Sequence, residues 1–123
     1  MGKTVLIIDD SSTMRKIVTR SLRQAGLEVE TILEAGDGLE ALQLLKGQKV
    51  DLILSDINMP NMDGLAFLRE KAADAALKGI PVVMISTESG SDIIGEAKTL
   101  GAVGSIKKPF TPEQVSEILG SFL

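Results

Sequence analysis

Val50-Asp51-Leu52-Ile53-Leu54-Ser55-Asp56 is a short, mostly apolar run that ends in a hydroxyl and a carboxylate. Four further runs of similar length occur along the chain: Thr4–Ile8, Val29–Leu33, Pro81–Ile85 and Ala102–Ile106. Val5-Leu6-Ile7-Ile8 and Val82-Val83-Met84-Ile85 are apolar at every position. That pattern predicts strands covered on both faces, as in a parallel sheet.

Helical periodicity fills the intervals. Met14, Ile17, Val18, Leu22 and Ala25 fall on one helical face, and Gly26 follows as a cap. A second helix is expected over Asp37–Lys46 with Gly47 closing it, and a third from about Asp63-Gly64 through Leu65, Phe67 and Leu68. Ile93, Ile94, Ala97 and Leu100, closed by Gly101, mark a fourth. Thr111-Pro112-Glu113 opens a fifth, with an N-cap and proline at the first helical position, burying Val115, Ile118, Leu119 and Phe122. Alternating strands and helices predict an α/β, doubly wound five-stranded parallel sheet, read as one domain over residues 1–123.

Such sheets place their ligand site beyond the carboxyl ends of the strands. Chemistry is therefore expected there, and it is found. Asp9-Asp10 follow the first run, Ser55-Asp56 the third, Ser86-Thr87 the fourth and Lys107-Lys108 the fifth. Only the second, leading to Glu34-Ala35-Gly36-Asp37, offers nothing as sharp, which an edge position would explain. Singly, each residue has a plain structural reading: Asp9 or Asp10 as a helix N-cap, Lys108 as a surface lysine, Ser86 as a strand-end hydroxyl. Their joint placement at four strand ends favours one common site.

Composition narrows that site's chemistry. Histidine and cysteine are absent, which removes the commonest general base, thiolates and disulfides. A metal must then take oxygen ligands, which suits Mg²⁺. Carboxylates about 4 Å apart repel by about 4 kcal/mol at an effective dielectric of about 20, so the cluster needs a cation. With Lys108 and Ser86 as donors, the set suits an incoming phosphoryl group, and a carboxylate is a competent nucleophile toward phosphorus. Asp56, on a central strand between acidic and basic neighbours, is the expected acceptor. The net charge of −4 and the lack of a basic stripe argue against nucleic acid. No apolar run approaches the roughly 20 residues that span a bilayer, and the first is too short for a signal-peptide core. A cytoplasmic location is expected.

The sequence resembles the receiver domains of two-component response regulators, and within them the CheY-type chemotaxis regulators. The matching residues are Asp9-Asp10, Ser12-Thr13-Met14-Arg15, Asp56-Ile57-Asn58-Met59-Pro60-Asn61-Met62-Asp63-Gly64, Ser86 and Lys108-Pro109-Phe110. The spacings also agree: 46 residues from Asp10 to Asp56, 30 from Asp56 to Ser86 and 22 from Ser86 to Lys108.

The resemblance implies strand order 2-1-3-4-5, an order the family is known for. It implies phosphorylation of Asp56 by a partner histidine kinase. It implies Mg²⁺ on Asp10, Asp56 and the main-chain carbonyl of Asn58, with Asp9 helping directly or through water. Ser86 would hydrogen-bond the phosphoryl group, with Thr87 beside it, and Lys108 would pair with it. Asn58 and Glu88 match positions that tune dephosphorylation, and the Lys108-Pro109 bond would be cis. Output would be a phosphorylation-dependent protein partner, such as a flagellar motor switch or another kinase. A phosphatase can also act in such systems, and a monomer is expected.

Three departures stand out. Ser105 replaces the aromatic usual three residues before the lysine, Thr87 replaces a frequent alanine, and Ile57 stands where some relatives carry tryptophan. Without the aromatic, a ring-turning switch cannot operate. The leading expectation is a stand-alone regulator, because the chain ends with its fifth helix. The alternative is a phosphorelay shuttle that passes the group to a histidine phosphotransfer protein. An aspartate-nucleophile phosphohydrolase would need a second aspartate where Asn58 stands, together with a cap. A flavin-binding role would need glycines or hydroxyls where Asp9 and Asp10 stand.

Overall fold

The computed structural model describes residues 2–27, 29–86, 91–108 and 110–122, with Ser86 and Ser91 described by backbone alone. Thr87, Glu88 and the Lys108-Pro109 bond therefore lie outside the described residues, as do the roles and the cis geometry expected of them. Strands and helices alternate in the order β1 (Thr4–Ile8), α1 (Ser12–Gln24), β2 (Thr31–Ala35), α2 (Gly38–Leu45), β3 (Leu52–Ser55), α3 (Gly64–Ala72), β4 (Val82–Ser86), α4 (Ser91–Thr99), β5 (Gly104–Lys107) and α5 (Pro112–Leu119). All strand pairs are parallel, in the order β2-β1-β3-β4-β5. This is the expected doubly wound fold, with the expected strand order.

Side-chain alternation along each strand builds two cores. Leu6, Ile8, Ile53, Val82 and Met84 face one side, packed with Ala41, Leu45, Phe67, Leu68 and Ala97 from α2, α3 and α4. Val5, Ile7, Leu52, Leu54, Val83, Ile85 and Ile106 face the other, with Val18, Leu22, Val115 and Leu119 from α1 and α5. Both faces being covered is why β1 and β4 are apolar without alternation. Each of the Val, Leu, Ile, Phe and Met side chains, fully buried, contributes about 1.5–3 kcal/mol.

Helix starts follow local chemistry. Ser11, Asp37, Asp63 and Thr111 each accept a hydrogen bond from a main-chain N–H in the first turn, and Thr111 forms a reciprocal capping box with Gln114. Ser11 caps α1, so neither Asp9 nor Asp10 is used as the cap. Gly26 and Gly101 take φ of +76° and +112°, the left-handed conformation expected of glycines that close helices.

After β1, the strands start slightly later than their apolar runs predict. β2 begins at Thr31 rather than Val29, and β3, β4 and β5 begin one or two residues later than expected. Apolarity alone sets no strand boundary; register does. Thr4 of β1 pairs with Thr31, while Val29 packs against the α1/α5 core.

Candidate phosphoacceptor and cation site

Register brings the carboxyl ends of the three inner strands together. Ile8 pairs with Ser55 and Ser55 with Met84, so the chain leaves β1 at Asp9 and β3 at Asp56 side by side. The Asp56 N–H donates to the Ile8 carbonyl at 2.9 Å, and the Asp9 N–H donates to the Ala35 carbonyl at 3.0 Å.

Asp9, Asp10 and Asp56 each offer one carboxylate oxygen, all within 4.8 Å of one another. Their surroundings differ. Asp9 is 4% exposed, Asp56 is half-buried and Asp10 is exposed. Lys108, leaving the end of β5, places Nζ 3.1 Å from Asp9 Oδ2 and 3.5 Å from Asp56 Oδ2. Asp9 Oδ1 accepts from the Ser11 N–H at 2.9 Å, and Asp56 Oδ1 accepts from the Ile57 N–H at 2.7 Å. One ammonium thus serves two carboxylates, leaving the cluster short of positive charge. Burial pushes the Asp56 carboxyl above its usual range, further than Lys108 and the Ile57 N–H bring it down. A hard cation on these oxygens would supply the missing charge. Three carboxylates, without a nitrogen or sulfur donor among the cluster, form a donor set that fits Mg²⁺.

The loop after Asp56 is tied down at both ends. Asn58 is exposed two residues beyond Asp56. The Gly64 N–H donates to the Ile57 carbonyl at 2.7 Å, folding α3 back onto the strand end. Asn61 adopts φ of +64°, and the Met62 N–H closes a tight turn on the Pro60 carbonyl at 2.6 Å. Asparagine tolerates the left-handed region better than most residues. Asn61 Nδ2 donates to Asp37 Oδ2 at 2.8 Å, and the Gly38 N–H donates to the Met62 carbonyl at 3.0 Å.

Two residues outside the expected set therefore bear on the site. Asp37 holds the β3–α3 loop while capping α2. Arg15 donates from Nη1 to the Asp9 carbonyl at 2.6 Å and from Nε to Glu34 Oε1 at 2.8 Å. Glu34, within β2, anchors Arg15, and Asp37, just past β2, anchors the loop. A carboxylate beyond the end of an edge strand, in a fold whose site lies at strand ends, was the available signal.

Of the expected site residues, Asp9, Asp10, Asp56 and Lys108 converge, and Asn58 flanks them. The backbone of Ser86 ends β4, paired with Lys107 of β5 and so one residue short of Lys108. Lys107 itself is exposed.

Comparison with known proteins accords with this geometry. The family model for the response regulator receiver domain matches residues 5–120. The chemotaxis protein CheY-3 of Vibrio cholerae is 44% identical over 115 residues, covering 94% of this chain and 87% of that protein. The crystallised CheY4 of Vibrio cholerae is 38% identical, with a TM-score of 0.85 and 100% of each chain covered. A CheX–CheY complex with BeF₃ and Mg²⁺ from Borrelia burgdorferi is 29% identical, with a TM-score of 0.85, covering 98% of this chain and 90% of that one. With five parallel strands in the expected order and an acidic cluster at their carboxyl ends, the chain belongs to the response regulator receiver domain family, among relatives of the CheY-like chemotaxis regulators.

Proposed function

We propose that this chain is a phosphorylation-driven signalling switch in which Asp56 accepts a phosphoryl group from a histidine kinase. The observation that carries the reading is the half-buried Asp56 carboxylate, set within 4.8 Å of two other carboxylates and 3.5 Å from the Lys108 ammonium. The Borrelia relative complexed with BeF₃ and Mg²⁺ supports it, since its fold and much of its length are shared.

In the transfer step, an Asp56 carboxylate oxygen forms a bond to phosphorus. The bond from phosphorus to the donor's imidazole nitrogen breaks, and that nitrogen keeps the electron pair. No proton need leave Asp56, so the absence of histidine from this chain costs the reaction nothing. The Ile57 N–H fixes one Asp56 oxygen and leaves the other on the side of Lys108. Lys108 is placed to pair with the transferred group, whose charge is the main obstacle to be neutralised.

Asp9, Asp10 and Asp56, with the Asn58 carbonyl, would hold Mg²⁺. When bound, the ion supplies positive charge against the carboxylates and the phosphoryl oxygens. Ser86 contributes a hydroxyl from the end of β4, Thr87 follows it, and Asn58 and Glu88 tune access of hydrolytic water. Output is a change in affinity for a protein partner, in chemotaxis by kinship with the CheY proteins. The protein acts as a switch whose chemistry is limited to its own phosphorylation and slow dephosphorylation.

Radiolabelled transfer from an autophosphorylated chemotaxis-type histidine kinase tests this reading. Label should leave the kinase and appear on this chain, and it should fail to do so with Asp56→Asn. Retention of label on a panel of such kinases, or full labelling of Asp56→Asn, would overturn it.

A further inference from the structure

We infer that Arg15 is a positioning residue for the cation site, fixing the peptide between Asp9 and Asp10 and thereby aiming the Asp10 carboxylate. The inference rests on the proposed cation-dependent reading of the site and assigns it a further residue.

The geometry is specific. The Arg15 side chain is 19% exposed and bridges the β1–α1 loop and the end of β2. Its Nη1 donates to the Asp9 main-chain oxygen at 2.6 Å, a charge-assisted bond to a carbonyl. Its Nε meets Glu34 Oε1 at 2.8 Å, so the guanidinium is held from behind by the edge strand. The Arg15 N–H also donates to the Ser11 carbonyl at 3.0 Å, which continues the same brace through the first turn of α1.

Asp9 is restrained on every side. Its N–H donates to the Ala35 carbonyl, its carboxylate faces the Ser11 N–H and Lys108, and its carbonyl accepts from Arg15. The plane of the next peptide is set by where that carbonyl points, because the peptide unit is rigid. Asp10 hangs from that plane. It is exposed, so packing contributes little to its aim; the peptide before it does the aiming. Partners that orient ligating groups commonly account for about 10–100-fold in metal affinity.

Charge alone predicts the opposite sign, and this makes the inference decidable. Arg15 is a cation near an acidic cluster, so deleting it should tighten binding of another cation if electrostatics governs. Glu34 already offsets its charge, so the loss of aim should prevail. Arg15→Ala should weaken binding by about tenfold. Arg15→Lys has one point donor for two separated acceptors, so it should fall between wild type and Arg15→Ala. Glu34→Gln should weaken binding less than Arg15→Ala does, because the bond to Asp9 remains.

The measurement is Mn²⁺ binding followed by electron paramagnetic resonance, with Mn²⁺ taking the same oxygen donors as Mg²⁺. Thermal unfolding in EDTA runs alongside to separate aim from stability. A tenfold rise in the dissociation constant for Arg15→Ala, intermediate for Arg15→Lys, with the folded population intact at the assay temperature, supports the inference. An Arg15→Ala constant within twofold of wild type, or a tighter one, overturns it. Asp10→Ala distinguishes the two levels: if it binds Mn²⁺ as wild type does, the cation reading fails and the role of Arg15 fails with it.

Discussion

Gly64 lies directly beneath Asp56: a Cβ added at Gly64 would collide with the main-chain oxygen of Asp56 and press on Met84 Cε. The first residue of α3 is thereby in contact with the strand end that carries the acceptor, and its N–H bonds the Ile57 carbonyl at 2.7 Å. Gly64→Ala should destabilise the protein by about 1–3 kcal/mol, the usual cost of overpacking. It should also slow phosphorylation, since relief of the clash must move Asp56. Urea denaturation and the rate with acetyl phosphate check both effects. Wild-type values for both would show that the contact yields freely.

Asp56→Asn should stabilise the protein in EDTA, although it removes the acceptor. Burial holds the Asp56 carboxyl above its usual range, so ionising it in the folded state costs free energy. A raised carboxyl contributes stability that is complete below its unfolded value, here 3.8, and is lost as pH rises through the folded value. The wild type should therefore lose stability over that window relative to the variant. At neutral pH the variant should melt at a higher temperature than the wild type, and the difference should vanish at low pH. Melting curves against pH for the two proteins decide the sign.

Lys71 is a charge placed where the fold gains little from it. It is 3% exposed, with Nζ on the Lys78 carbonyl at 3.1 Å, and burial lowers its pKa from 10.5. The folded state then binds fewer protons than the unfolded state just below pH 10.5. Stability from this group should rise as pH climbs through that window and level off above it. Lys71→Met should remove the slope and leave stability unchanged or higher by about 1 kcal/mol. A loss of more than about 2 kcal/mol would show that the bond to Lys78 outweighs the burial of charge.

Gly95 offers a probe of output. It is exposed within α4, and a Cβ there would meet nothing within 4 Å. Gly95→Ala should therefore stabilise α4 by about 0.5–1 kcal/mol. With Ser105 in place of a switching ring, we propose that signal passes from Ser86 to the start of α4. Stiffening α4 should then change affinity for the partner captured by beryllofluoride-treated protein, with phosphorylation of Asp56 unchanged. Hydrogen exchange with and without beryllofluoride should differ most between Thr87 and Leu100. Unchanged partner affinity in Gly95→Ala would point to another route.

The legible parts of the sequence were those where one residue type admits one use. Fully apolar strands required covered faces, and the polar residues just past them marked the ligand edge, so Asp9, Asp10, Asp56 and Lys108 could be placed together from pattern alone. Arg15, Glu34 and Asp37 were not legible, because an arginine on an amphipathic helix and acids beside a turn read equally as solvated surface. Their roles depend on register: Ile8 opposite Ala35 sets the β2 end beside Asp9, and only then does Glu34 come within reach of Arg15. Exposed Ile17 shows the same limit, since it shares the apolar face of α1 with buried Val18 and Leu22 and yet is not covered.

The central claim is that Asp56 accepts a phosphoryl group at a cation-dependent acidic site. Intact-protein mass spectrometry after incubation with acetyl phosphate and Mg²⁺ tests it most directly. The wild type should gain the mass of one phosphoryl group, lost on treatment with hydroxylamine as an acyl phosphate should be. EDTA and Asp56→Asn should each prevent the gain. An equal gain in Asp56→Asn, or in the wild type with EDTA present, would contradict the claim.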